Sequence, residues 1–349
     1  MTFKKSYLIG IVVFSIALST FTLYVFQITR TPNLQVDKDP AIIVIPAEAT
    51  FRSVQDTLFY RHIVNDPVSF SFIAKLMGYQ KAIKPGTYKI KSDMNNVDAV
   101  KMLRSGNQVP VYIRFSHARL VDELYEPVTR NLSMTPEAFA SALESFIKNN
   151  DEHFNKDNII SMFIPNSYQV YSTISPEGLV KKMNQEYHRF WNEDRSNAAK
   201  TIGLTRFEVS TLASIVQAET VISDESPVIA GLYLNRLKRN IPLQADPTLV
   251  FASGDFNTKR VLNVHKEVDS PYNTYKHTGL PPGPINMPSI HSIDAVLHPD
   301  SNNYLYMCAK EDFSGYHNFT ASLTQHLINA SKYQRQLSIE QRKARLFKK

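Results

Sequence analysis

Thr205-Arg206-Phe207-Glu208 carries the Thr-x-x-Glu pattern in which a hydroxyl and a carboxylate cap each other's backbone amides at the start of a helix. A helix that begins there runs through Leu212, Ile215 and Val216, and Glu219 follows them by seven, four and three residues, on the same face. A carboxyl on a buried stripe loses water, which disfavours its ionised form and raises its pKa. A carboxylic acid that keeps its proton near neutrality is what general-acid cleavage of a glycosidic bond requires. The helical position also leaves open a structural glutamate paired with a cation, for which Arg236 is the candidate.

Other reactive side chains form weaker patterns. His265, His277, His291, His298, His317 and His326 raise a metal-dependent hydrolase, but no His-x-x-x-His or His-Glu-x-x-His spacing occurs, so no metal ligands are assigned. The one cysteine, Cys308, reads as a small buried apolar residue and not as a nucleophile.

A longer series of motifs surrounds Glu219. Leu212–Thr220 is followed by Leu234–Leu237, Leu243–Thr248, Ser270–Tyr275, Gly279–Ile285 and Tyr304–Tyr306, preceded by Lys84–Tyr88 and Phe163–Tyr168, and closed by Gly315–Phe319 and His326. In this order and spacing the chain resembles the YceG-like (MltG) family of endolytic murein transglycosylases. The resemblance implies cleavage between N-acetylmuramic acid and N-acetylglucosamine in nascent glycan strands, leaving 1,6-anhydromuramic ends and limiting strand elongation. It places the catalytic acid at Glu219 and requires no cofactor. One residue can serve twice, first protonating the leaving oxygen and then taking the proton of the muramic 6-hydroxyl that attacks the anomeric carbon. Water is not the nucleophile, so the two-carboxylate arrangement of hydrolases is not needed. Asp246 is the second carboxyl should the reaction be a hydrolysis, and otherwise a cap or turn residue before Pro247.

Asn235, Gln244, Asp246, Tyr272, Asn273 and Tyr275 are the expected substrate-binding residues, because amides bond acetamido and hydroxyl groups and aromatic faces stack on sugars. Gly279-Leu280-Pro281-Pro282-Gly283 is expected to shape the cleft as a stiff loop. Four departures from the family pattern bear on substrate positioning. Gln217 replaces a glutamate, Ala245 replaces a threonine or serine beside the expected cleft, Met287-Pro288-Ser289 replaces a Pro-Gly pair, and Phe115–Ala118 lacks a Glu-Gly. The rival reading is a non-catalytic, membrane-anchored scaffold that binds peptidoglycan for wall-synthesis enzymes.

These residues need a frame. The chain has 349 residues, 43% of them apolar, and a net charge of +7, composition enough for about two domains. The excess charge is terminal: the last nineteen residues carry +6 and the first thirty +3, which leaves −2 between them and removes the electrostatic basis for nucleic-acid binding. Tyr7 to Ile28 holds no charge and is long enough to cross a bilayer, longer than the apolar part of a signal peptide, and Ala17-Leu18-Ser19 is a poor cleavage site in mid-run. Lys4 and Lys5 before the span set the N-terminus in the cytoplasm and the rest of the chain outside the inner (plasma) membrane, on the periplasmic or extracytoplasmic side.

The expected fold class is α+β. Residues 1–30 are the cytoplasmic end and a single transmembrane helix, and 31–40 a polar tether. Residues 41–108 form a LysM-like module of buried strand, two helices and a strand. Residues 109–334 form the catalytic domain, mostly helical to 200 and motif-bearing from 201, and 335–349 a basic, solvated helix end. Family analogy adds penicillin-binding polymerases or other members of an elongation complex as partners.

Overall fold

The computed structural model describes residues 5–258 and 261–346. Lys4, used above to orient the span, lies outside the described residues, as do Lys348 and Lys349 of the basic end. The chain divides into two compact units: residues 1–113 with 129–135 and 168–175, and residues 114–128, 136–167 and 176–349.

The first unit opens with α1 (Lys5–Arg30), a helix long and apolar enough to cross a membrane. Strand β1 (Ala41–Ile45) pairs antiparallel with β2 (Gly86–Ile90), Ala41 opposite Ile90 and Ile45 opposite Gly86. Between the strands lie α2 (Phe51–Tyr60) and α3 (Pro67–Leu76), and α4 (Asn96–Ser105) follows. Ile43, Ile45, Leu58, Phe70, Tyr79, Tyr88, Ile90 and Leu103 form the core. The first strand, expected to be buried, is half-buried: Ile42 and Val44 face out, because a two-stranded sheet is covered on one face and side chains alternate.

The expected tether at 31–40 is built into this unit over its first half. Leu34 is buried and bridges to Val64, while Pro32 bridges to Asn95. Asn33 gives its amide to Asn96 Oδ1 at 2.7 Å and accepts the Asp66 N–H at 2.8 Å, and Asn96 donates to the carbonyl of Ile28 at 2.9 Å. The last turn of α1 is thus tied to the module by buried amides, whose donors and acceptors must be paired once out of water.

The second unit is built around helices. Strands β3 (Val111–Phe115) and β4 (Asn166–Val170), both of which the boundary between the units cuts, pair, and α5 (Tyr125–Thr129) and α6 (Pro136–Lys148) lie between them in the chain. The mostly helical stretch expected up to residue 200 ends in two helices, α7 (Pro176–Phe190) and α8 (Glu193–Ile202). Asn192 ends the first and caps the second by accepting the Arg195 N–H at 3.0 Å.

Helix α9 (Arg206–Glu219) starts where the capping pattern requires, with Thr205 and Glu208 bonded reciprocally. Every residue from Val209 to Val216 is buried, so the helix is central and enclosed all round, not striped. It packs against α10 (Ser226–Lys238), α11 (Asp246–Ser253) and α12 (Ile290–Leu297). Fully burying each of Leu212, Ile215 and Val216 contributes roughly 1.5–3 kcal/mol. A hairpin of β5 (Tyr306–Ala309) and β6 (His317–Thr320) follows, packed on α13 (Leu323–Leu346). Residues 335–346 of the expected solvated basic end are the second half of this one helix, and Leu337 and Gln341 on it line a cavity described below.

Candidate active site

Glu219 is the last residue of α9, and two cavities meet at it. One, of about 900 Å³, is lined by His117, Arg119, Phe251 and Asn286 and by the α13 residues Tyr333 and Leu337. The other, of about 390 Å³, is lined by Tyr233, Arg236, Gln244, Tyr275, His317 and His326. Glu219 and Asp246 line both.

The carboxyl of Glu219 is pushed up to about 7. Burial is the main cause; the Tyr233 hydroxyl, donating to Oε1 at 2.6 Å, pulls the other way by favouring the anion. The negative charge of Asp246 raises the value and the positive charge of Arg236 lowers it. Arg236 is not an ion-pair partner. Its Nε donates to the carbonyl of Leu305 at 2.6 Å, and its Nη1 to those of Pro242 and Leu243 and to Gln244 Oε1 at 2.9–3.2 Å. The arginine therefore pins two backbone segments, Pro242–Leu243 and Leu305, and leaves Glu219 with a phenol as its hydrogen-bonded neighbour.

Three of the expected substrate residues stand beside Glu219. Gln244 is exposed in a left-handed turn, φ +52°, with its N–H on the carbonyl of Thr274 at 3.0 Å. Asp246 is exposed in the first turn of α11 and accepts a 2.6 Å hydrogen bond from the Tyr275 hydroxyl. Asp246 does not cap that helix; Ala245 occupies the cap position. Among the described residues no three His, Cys, Asp or Glu side chains converge as metal ligands.

The YceG-like family model matches residues 43–332. The chain belongs to the YceG-like family. A relative from Bacillus subtilis (strain 168) named endolytic murein transglycosylase is 29% identical over 85% of this chain and 87% of its own. Relatives of the same name from two strains of Streptococcus pneumoniae are 26% identical over 87% of this chain, which spans 61% of their length. The crystal structure of a yceG-like protein from Listeria monocytogenes aligns with a TM-score of 0.50 at 25% identity, over 83% of this chain and 98% of that one.

The other YceG-like motif residues face protein. Asn235 donates to Asn302 and to the carbonyl of Tyr304 at 2.9–3.2 Å, holding the loop before β5. Asn273 is fully buried, donates to the carbonyls of Lys266 and Val268, and accepts the Tyr275 N–H, so it braces the segment that carries Tyr275. Tyr272 packs on Phe251 with ring centroids 4.7 Å apart and points its hydroxyl at Asp157, behind the wall of the larger cavity. Cys308 is half-buried in β5, lines the smaller cavity, and has its thiol pushed up by burial.

The departures from the family pattern acquire physical reasons here. Gln217 donates to Asn286 Oδ1 and the carbonyl of Met287, and accepts from the Ser289 N–H and the Ser292 hydroxyl, at 2.6–3.2 Å. An amide offers both roles where a carboxylate only accepts. Ala245 is fully buried and lines neither cavity, and the hydroxyl that its N–H needs comes from Thr274 at 3.1 Å. Ser289 caps α12, and Ala118 is buried with its carbonyl on the Met287 N–H at 2.8 Å. In the proline loop, Gly279 is left-handed, and a Cβ on Gly283 would lie 2.0 Å from the carbonyl oxygen of Asp157. Sequence reasoning missed Tyr233 altogether. Its signal was available: it precedes Arg236 by three residues, on one face of one helix.

Proposed function

We propose that this chain is an endolytic murein transglycosylase whose acid and base is Glu219. The observation that carries this reading is a carboxyl pushed up to about 7 at the meeting of two cavities, where a strand could pass on both sides of the bond to be cut. The printed names of its YceG-like relatives support the same reaction.

In this reaction Glu219 gives its proton to the glycosidic oxygen as that oxygen leaves the anomeric carbon of N-acetylmuramic acid. The carboxylate then takes the proton of the muramic 6-hydroxyl as its oxygen bonds to the anomeric carbon, closing the 1,6-anhydro ring. The proton count closes on Glu219 and no water is consumed, so no second carboxylate is required. Asp246 acts through charge, helping Glu219 hold its proton at neutral pH, and Tyr233 orients the carboxyl. Gln244, Asp246 and Tyr275 contact the strand, while Asn235, Tyr272 and Asn273 brace the walls.

The same reading takes α1 as a single-pass anchor in the inner (plasma) membrane, with the N-terminus cytoplasmic and the catalytic part, residues 109–334, on the periplasmic or extracytoplasmic side. Residues 41–108 serve as a LysM-like module; their strand–helix–helix–strand order supports it. Penicillin-binding polymerases are the proposed partners, to be sought by cross-linking in membranes; failure to recover any would remove that part.

The test is mass spectrometry of products from uncrosslinked glycan strands incubated with the full-length protein in detergent, wild type and Glu219→Gln. Anhydromuramic ends from the wild type and none from the variant are expected. Reducing muramic ends would mean hydrolysis, and binding without cleavage would mean a scaffold.

A further inference from the structure

Glu225 is a buried carboxyl that the reaction at Glu219 leaves without a task. Its side chain, at the start of α10, is 6% exposed. An ionised carboxylate taken out of water must be well paired. Oε1 accepts the backbone N–H of His317 at 2.7 Å, Oε2 meets Nδ1 of the same histidine at 2.8 Å, and the hydroxyl of Thr220 lies 3.4 Å from Oε2. One carboxyl thus grips one histidine by its main chain and its ring together. With the Nδ1 proton directed at the carboxylate, an imidazole in its neutral form keeps Nε2 as a hydrogen-bond acceptor.

That acceptor has no partner among the described residues, and it is not sealed away. The His317 side chain is 15% exposed and lines the smaller cavity with Glu219 and Asp246. A second histidine faces the same space: His326 stacks on Tyr306 with centroids 5.4 Å apart, and its buried Nδ1 makes no hydrogen bond. Burial, then the charge of Arg236, hold His326 below the ordinary histidine value, which favours its neutral ring. The buried Nδ1 of His326 is costly left without a partner, and a polar ligand would satisfy it together with the open Nε2 of His317.

The chemistry of the wall selects the ligand. Asp246 and Arg236 oppose each other in charge and the rest of the wall offers the polar groups of Gln244, Tyr275 and the two histidines, which suits a neutral, hydroxyl-bearing ligand, and about 390 Å³ is the size of a small-molecule site, room for about one sugar ring. We propose that His317, fixed by Glu225, is a further strand-positioning residue of the smaller cavity, where it accepts a hydrogen bond from a hydroxyl of the sugar next to the bond that Glu219 cleaves. The identity of the sugar rests on the transglycosylase reading; binding in the cavity does not need turnover.

The test measures calorimetric binding of uncrosslinked glycan strands to the full-length protein in detergent, in a Glu219→Gln background so that bound strands stay intact. His317→Asn retains a donor for Glu225 and has nothing at the Nε2 position, whereas His317→Gln reaches that position. Glu225→Gln keeps the shape but donates to Nδ1, which moves the ring proton to Nε2 and turns the acceptor into a donor.

Binding within about threefold of the parent is expected for His317→Gln. About tenfold weaker binding, the equivalent of roughly 1.4 kcal/mol, is expected for His317→Asn and for Glu225→Gln. Parental affinity in His317→Asn, or equal losses in both His317 variants, overturns the proposal. Should the His317 variants unfold early on heating, Glu225→Gln decides alone, and unchanged binding there overturns it. Absence of anhydromuramic ends from wild-type protein would defeat the transglycosylase reading separately, leaving these binding results to stand.

Discussion

Tyr233 donates a 2.6 Å hydrogen bond to Oε1 of Glu219 from the neighbouring helix, fourteen residues along the chain. It is the contact that restrains the acid. Burial and Asp246 favour the protonated carboxyl, and the phenol favours the anion, which brings the balance to about 7. Tyr233→Phe removes the restraint and little volume. The pH at which activity falls on the alkaline side is expected to move above about 7, because Glu219 then holds its proton longer. A pH–rate profile reads this, and an unchanged alkaline limb would contradict it.

Asp246→Asn should move the same limb the other way. The variant deletes the charge that raises Glu219 and leaves an oxygen to accept from Tyr275. Its alkaline limb is expected below that of the wild type. Loss of all activity with no shift would give Asp246 a direct chemical role instead.

Gln217→Glu restores the residue that the family pattern carries and is expected to destabilise this chain. A carboxylate cannot donate to Asn286 Oδ1 or the carbonyl of Met287, which Gln217 now satisfies at 3.0 and 3.2 Å. Leaving buried acceptors unpaired costs about 1–3 kcal/mol. Thermal unfolding of the two proteins side by side measures it, and equal midpoints would refute the bracing role.

Glu219→Gln should be more stable than the wild type, by an amount that depends on pH. The folded protein holds on Glu219 a proton that the unfolded chain releases near 4.5, so stability falls as pH rises from there to about 7. The variant lacks this loss. Its advantage is expected to grow across that window to at most about 3 kcal/mol and then level off. Denaturant unfolding at pH 5 and pH 8 checks the sign, and an advantage that shrinks with pH would contradict the raised value.

Much of this site was legible because its signals are local. Thr205 and Glu208 announced α9, and three apolar positions placed Glu219 against the interior before any contact was known. The amides were not legible in the same way. Asn235 and Asn273 bond backbone carbonyls, whereas Gln244 faces a cavity, and nothing in residue type distinguishes an amide that reads a sugar from one that holds a loop. Tyr233 was hidden inside an apolar run, where an aromatic residue looks like packing. The segment after α1 misled through its polarity, since Asn33 is buried by long-range partners at Asp66 and Asn96. The break at Asn192 was a missed cap.

The most direct measurement is the titration of Glu219 itself. Carbon-13 NMR of the full-length protein with labelled glutamate carboxyls, compared with Glu219→Gln, isolates its signal. A midpoint near 7 is predicted, with the carboxyl half protonated at neutral pH. A midpoint at or below about 4.5, the ordinary value for a solvated glutamate, would leave no acid to protonate a departing sugar and would contradict the account.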